Sequence, residues 1–342
     1  MQQDLNDYLI LQSAQGLNSR SMVEAFDTLP IFTAPMDTVV SANNMQEFIS
    51  HGINVCLPRN EFFQPENNVF SSLGLEEFML EILGDDVVDG EYNGKKILID
   101  IANGNVPLLH ESIIKFKQKH PSGIIMAGNV GSVSAFKALA ETGCDYIRVG
   151  IGGGSGCLTT VHTRVGQGMA TLIQECRKAV EENKYSCNIV ADGGMQNYGD
   201  IVMALALGAD YVMLGGIFNR AFESCANKYV ETKRGNMKPL EDYLRKHNKT
   251  TKELIAEKRM YADFRGMSTK AVQRAWGKKQ LRSSEGIVKL NLVEYTLKGW
   301  VENFKDYLKS SMAYVGAKNL KEFREFAEIV EISTNTRKRF NK

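Results

Sequence analysis

The sequence predicts an α/β fold, a (β/α)8 TIM barrel, on three observations. Eight short apolar runs alternate with helical segments between residues 31 and 214. The runs are apolar on both faces, as parallel strands buried between a lumen and a ring of helices must be. Polar or glycine-rich motifs follow most of them: M-D-T-V at 36–39, D-I-A-N-G at 100–104, A-G-N-V at 127–130, a glycine loop at 150–156, D-G-G at 192–194 and G-G at 215–216. A closed barrel gathers such loops on one face, where barrel active sites sit. An open doubly wound sheet, the alternative, would string them along an edge.

Taken in order, residues 1–29 form a lead-in with a short apolar run at 8–11. Strands are expected at 31–34 (closed by Pro35), 53–57, 69–71, 96–101, 124–127, 146–149, 189–191 and 211–214. Helices are expected between them at 43–50, with Ser41 as N-cap, and at 75–83, 106–119, 133–142, 169–182 and 198–207. In the helix over 169–182, Leu172, Ile173, Cys176, Ala179 and Val180 keep a 3.6-residue period. Beyond Gly216 the alternation stops. Residues 218–258 read as helical and charged, 263–269 and 280–286 as functional loops, 290–308 and 319–329 as helices, and 337–342 as a frayed basic tail. The expected organisation is a single domain: a barrel over about 30–217, a flap and insertion over about 218–288, and C-terminal helices over about 289–330.

Composition narrows the function. A chain of 342 residues with 43% hydrophobic and 24% charged residues can build a large core without staples. A net charge of +1 creates no field that favours nucleic acid or a membrane surface. No apolar run approaches the roughly 18 residues of a membrane span, and the N-terminus does not read as a signal peptide. The six cysteines form no C-x-x-C, which suits reduced thiols and a cytoplasmic location. The five histidines show no metal-binding spacing.

The chemistry concentrates at 146–160, Y-I-R-V-G-I-G-G-G-S-G-C-L-T-T. Five glycines within seven residues let the backbone turn sharply and let a ligand approach it closely. Such a loop can aim several N–H groups at an anion, and Cys157 within it is placed for nucleophilic attack. The plain alternative is a cysteine packed as a small hydrophobe. A dinucleotide-binding glycine motif is excluded: no G-x-G-x-x-G can be written from these glycines, and polar loop, not an apolar helix, is expected after Cys157.

These motifs, with M-L-G-G at 213–216 and R-G-M-S at 265–268, together resemble the inosine monophosphate dehydrogenase and guanosine monophosphate reductase family from about residue 7 to about residue 330. Within it the reductase side fits better. About a dozen residues separate Leu57 from the third strand, too few for the CBS modules that the dehydrogenases usually insert there. D-I-A-N-G, R-S-S-E-G at 282–286 and A-Y-V-G-A-K-N-L at 313–320 are similar to the reductase versions. The resemblance implies an NADPH-dependent conversion of GMP to IMP and ammonia through a covalent Cys157 adduct, in a homotetramer. An IMP dehydrogenase without CBS modules, a relative acting on a deoxy- or modified purine nucleotide, and a non-catalytic nucleotide-binding barrel stay open.

It also implies roles. Cys157, Thr159 and Glu285 would be catalytic, with Glu285 otherwise a surface carboxylate. Asp192 would bind the ribose hydroxyls, or else cap a helix. Ser155 with the backbone of Gly194, Gly215 and Gly216 would hold the phosphate. Met267, Ser268, Arg282, Ser284 and Gly286 would contact the base, with core packing the alternative for Met267. Asp100, Asn103 and Arg59 would face the nicotinamide, although Asp100 and Asn103 also suit turn-forming positions. Arg59 stands where the family often has a lysine. Carbonyls of Gly152, Gly154 and Cys157 would hold a monovalent cation, K+. The charged stretch 237–258 has no counterpart in the resemblance.

Overall fold

The structure is a computed structural model, and it describes residues 2–59, 61, 69–247, 249–275, 277, 280–281, 283 and 286–340. Eight parallel strands carry it: β1 (Ile31–Thr33), β2 (Val55–Cys56), β3 (Val69–Leu73), β4 (Lys96–Asp100), β5 (Ile124–Val130), β6 (Tyr146–Val149), β7 (Asn188–Asp192) and β8 (Tyr211–Leu214). Each pairs with the next, and β8 returns to β1 through Ile31↔Val212 and Thr33↔Leu214. The last gap, β1 to β2, is closed by Thr33 N–H to Asn54 O at 2.9 Å and Asn54 N–H to Ile31 O at 3.0 Å. The barrel is therefore complete, as the alternation of strands and helices predicts.

Strand periodicity sorts the side chains into two cores. Ile31, Val55, Ile97, Ile99, Ile125, Ile147, Val149, Ile189 and Val212 point outward against helices such as Met169–Asn183 and Tyr198–Ala206. One residue from each strand, Phe32, Cys56, Phe70, Leu98, Met126, Tyr146, Val190 and Met213, forms a separate cluster that fills the lumen. Phe32, Phe70 and Tyr146 meet edge to face at 5.5–5.8 Å between centroids, a favoured aromatic arrangement. The residues two further along each strand lie one layer nearer the loops, and there the chemistry changes: Asp100, Gly128, Arg148 and Asp192 replace hydrocarbon. The strands are thus not apolar on both faces throughout, because Arg148 interrupts β6.

Several element boundaries differ from expectation. The segment 218–258 is not helical throughout. Strands β9 (Lys228–Glu231), β10 (Met237–Pro239), β11 (Met260–Arg265) and β12 (Val288–Leu292) form an antiparallel sheet in the order β10-β9-β11-β12. Its hydrophobic positions alternate, as in the buried-intermediate alternation of β11, and the many charges at the other positions mask that period. The charged stretch 237–258 supplies β10 and two short helices, Leu240–Lys246 and Thr251–Ala256. These place Tyr243 and Leu254 in a small core with Val230, Met260, Ala262 and Val293.

The C-terminal helix spans Leu297–Val315 rather than 290–308, because Leu290 and Leu292 belong to β12 and Thr296 caps the helix through Gly299 N–H. The next helix is Leu320–Phe326, capped by Asn319, and Ile329–Glu331 pairs antiparallel with Tyr8–Ile10 of the lead-in. The basic tail is helical over Thr334–Phe340, and Arg337 bonds Asp7. Ser41 does not cap Met45–Ser50: Asn44 occupies the cap position, and its side chain accepts the Ser41 N–H at 2.7 Å. Among the described residues, no helix is long and apolar enough to cross a membrane.

Candidate active site

The loop after β6 puts Cys157 at the loop end of the barrel, half-buried. All six cysteines are free. Burial pushes the thiols of Cys56, Cys144 and Cys176 far up, that of Cys187 up to about 11 and that of Cys225 up to about 12. Those five are poor sources of thiolate. Cys157 Sγ lies 3.2 Å from Thr159 Oγ1, a hydrogen bond that brings two of the expected catalytic groups together. The polar stretch after Cys157 is a short helix, Thr159–Thr163, rather than loop.

The flap lies directly on this loop. Cys157 and Gly286 form an antiparallel bridge, Ile287 N–H donates to Gly156 O at 3.1 Å, and Gly266 N–H donates to Ile287 O at 3.0 Å. The approach needs glycine at 156, where a Cβ would stand 2.7 Å from the Phe264 ring. Gly286 thus pairs with Cys157, and Gly266 of the R-G-M-S turn packs on Gly156 and Gly286. Met267 in that turn is half-buried, and Ser268 is exposed with its carbonyl accepting the Gln273 side chain at 2.8 Å. Arg282, Ser284 and Glu285 lie outside the described residues.

Two further contacts anchor the flap. Arg265 grips Asp37 of the M-D-T-V loop through Nε–Oδ1 at 3.1 Å and Nη2–Oδ2 at 2.6 Å. The buried Asn219 donates to Thr38 O and Asp263 O, both at 2.8 Å, and accepts from Asn291 at 2.8 Å, so one amide ties barrel, β11 and β12 together.

The phosphate candidates converge. A Cβ at Gly216 would stand 2.8 Å from Ser155 Oγ, and one at Gly193 would stand 2.8 Å from Gly154 N, so the glycine loop packs on both G-G motifs. On Gly194 a Cβ would meet nothing within 4 Å, which leaves that side open to a ligand, while one on Gly215 would press on Met36. The Gly154 carbonyl accepts the Cys157 N–H at 2.9 Å and keeps a second lone pair. Among the described residues, no group of His, Cys, Asp and Glu could hold a metal ion. Backbone carbonyls of this kind are the neutral donors with which a monovalent ion is coordinated.

Below them lies a buried ion network. Arg148 donates from Nη1 to Asp100 Oδ1 at 2.8 Å, and from Nη2 and Nε to Asp192 Oδ2 at 2.8 and 3.1 Å. Burial opposes its charge, but the Asp192 and Asp100 carboxylates outweigh it and hold the guanidinium pKa above its ordinary value. Arg59 reaches the same cluster, its Nε 3.9 Å from Asp100 Oδ2. Asp192 is no helix cap, since Asn197 caps Tyr198–Ala206. Asn103 is exposed, and its side chain accepts the Asn105 N–H at 3.0 Å, which makes it a turn former.

Arg148, Asn129, Asn219 and the Asp37–Arg265 pair are the polar groups that the sequence reading passed over. Arg148 carried a signal, a charge inside an otherwise apolar strand run. Asp37, Asn129 and Arg265 lie in the M-D-T-V, A-G-N-V and R-G-M-S motifs without a role of their own, and Asn219 carried no signal.

The family model described as "IMP dehydrogenase / GMP reductase domain" matches residues 91–339, more than half of the chain. The chain belongs to this family. It is similar to GMP reductase 1 of Mus musculus, at 29% identity over 96% of this chain and 95% of that one. GMP reductase of Shewanella pealeana is 26% identical over 97% and 96%, respectively. Inosine-5'-monophosphate dehydrogenase of Aquifex aeolicus is 33% identical over 69% of this chain and 44% of the relative. The match to the family spans β4 to β8, the antiparallel sheet and the C-terminal helices, and so contains the glycine loop, both G-G motifs and the R-G-M-S turn, whereas Met36, Asp37, Thr38 and Arg59 precede it.

Proposed function

We propose that this chain is a purine mononucleotide oxidoreductase that converts GMP to IMP and ammonia with NADPH. The observation that carries the reading is Cys157 hydrogen-bonded to Thr159 on the glycine loop, with the flap paired to it at Gly286. Near full-length similarity to proteins named GMP reductase supports the reductive direction.

The residues divide the work. The Cys157 thiolate adds to C2 of the purine, the C2–N bond breaks, and ammonia leaves from the resulting adduct. Thr159 and Glu285 move the proton that the departing amine needs. NADPH supplies the hydride that C2 receives, after which the C–S bond breaks and frees the thiolate with IMP. Ser155 and the N–H groups of Gly194, Gly215 and Gly216 hold the 5'-phosphate, consistent with the anion sites of barrel loops after strands 7 and 8. Asp192 accepts from the ribose hydroxyls. Met267, Ser268, Arg282, Ser284 and Gly286 frame the base. Asp100 and Arg59 face the nicotinamide side, where a carboxylate and a guanidinium fit the donors and acceptors of a carboxamide. A K+ ion at the carbonyls of Gly152, Gly154 and Cys157 would steady the loop. The reading places the enzyme in the cytoplasm as a homotetramer.

The test is absorbance at 340 nm with GMP and NADPH, run beside IMP with NAD+ and beside Cys157→Ala. NADPH loss that needs GMP and vanishes in the variant supports the reductase. NADH formation from IMP would make the chain a dehydrogenase. Turnover only with a deoxy- or modified nucleotide would move the substrate, and silence in every arm would leave a binding barrel.

A further inference from the structure

We infer that Arg148 is a positioning residue that sets both halves of the site at once, the nucleotide side through Asp192 and the dinucleotide side through Asp100. The inference rests on the proposed function for the identity of the two ligands. Its geometry stands on the ion network alone.

Arg148, Asp100 and Asp192 extend from three different strands into the same lumen layer, directly above the aromatic plug. The Arg148 side chain is 8% exposed, and the two carboxylates are 15% exposed each. In so dry a place a charge is kept only where partners hold it. The planar guanidinium spans both carboxylates, Nη1 to one and Nε with Nη2 to the other. No point-charge ammonium can reproduce that fork.

The space for it is built in. Gly128, the residue of β5 in this layer, has φ +150°, and a Cβ there would stand 2.7 Å from Arg148 Cβ and 2.6 Å from Arg148 O. Asn129 completes the clamp. Its amide donates to Asp192 Oδ2 at 2.8 Å and to Gly150 O at 2.9 Å, which ties the carboxylate to the first residue of the glycine loop.

The consequence is directional. All three donors to Asp192 fall on Oδ2, so the clamp fixes the carboxylate plane and assigns Oδ1 to the ligand. Asp100 is held through Oδ1 by the one bond from Arg148 Nη1, with Arg59 Nε 3.9 Å from its Oδ2. Loss of the fork frees both carboxylates together. Loss of Asn129 loosens only Asp192.

The experiment measures binding by calorimetry, with GMP and separately with NADP+, for wild type, Arg148→Lys and Asn129→Ala. Melting temperatures are recorded for each variant, and kcat and KM where turnover is found. Arg148→Lys should weaken both ligands by about tenfold or more, as small misplacements of binding groups do. Asn129→Ala should weaken GMP several-fold and leave NADP+ within a factor of two. It removes no charge from the cluster, so it remains informative if Arg148→Lys fails to fold. A purely structural role would lower melting temperature in both variants without this split. Wild type that binds GMP together with an Asn129→Ala that binds GMP normally, or with an Arg148→Lys that binds both ligands normally, overturns the inference alone. Wild type that does not bind GMP overturns the proposed function and this inference with it.

Discussion

The Asp37–Arg265 pair should govern how firmly the flap covers Cys157. Its two bonds, at 3.1 and 2.6 Å, have the bidentate geometry that makes carboxylate–guanidinium contacts strong. Removing one partner of such a pair when it is fully buried costs about 3–5 kcal/mol. The two side chains are 34% and 28% exposed, so solvent screening reduces the coupling to about 1–1.5 kcal/mol. That corresponds to a change of about five- to twelvefold in the ratio of docked to undocked flap.

The perturbation is a double-mutant cycle with Asp37→Ala and Arg265→Ala. The assay is the rate at which iodoacetamide alkylates Cys157, followed on the Cys157 peptide so that Cys225, whose thiol bonds Asp37 O, is counted apart. Each single variant should react several times faster than wild type, and the double variant no faster than the quicker single one. Additive effects, or rates equal to wild type, would refute the view that this pair holds the flap down.

Three further outcomes are expected. Leu254, fully buried in the flap core, should cost about 2–4 kcal/mol of flap stability when changed to Ala; hydrogen exchange should speed up in β9 and β11 and stay unchanged in β4 to β7. Burial lowers the Lys228 pKa to about 8 from 10.5, so between those pH values the unfolded chain holds a proton that the folded chain has released. Stability should therefore rise with pH across that window in wild type relative to Lys228→Met, as urea titrations at several pH values would show, and a flat difference would contradict it. Exchange of K+ for tetramethylammonium should lower kcat with little change in melting temperature, read from turnover in matched buffers.

The barrel was legible because its signal is redundant. The eight short apolar runs correspond to the eight strands, and the runs at 146–149 and 211–214 have the same bounds as β6 and β8. The site's outline was legible for a related reason: glycine loops and the cysteine advertise themselves locally. The flap was not. Its strands hold few residues, and the partners that make them strands, such as Tyr261 opposite Leu292, lie far apart in sequence. The end of β12 reads as helix because Leu290, Val293 and Leu297 keep the i, i+3, i+7 spacing of one helical face.

The polar ties were hidden more deeply. Asn219 follows Ile217 and Phe218 as an ordinary helix residue, and only the folded chain brings Thr38, Asp263 and Asn291 to it. Asn129 reads as part of a loop motif until β6 and β7 set Gly150 and Asp192 within reach of its amide.

The central claim is that Cys157 becomes bonded to the purine during turnover. The direct measurement is mass spectrometry of the Cys157 peptide after acid quench of protein with GMP but without NADPH. The account predicts a peptide heavier by GMP less one ammonia, absent from Cys157→Ala and discharged when NADPH is added before the quench. NADPH-dependent turnover with an unmodified Cys157 peptide, or with the adduct on another cysteine, would contradict it.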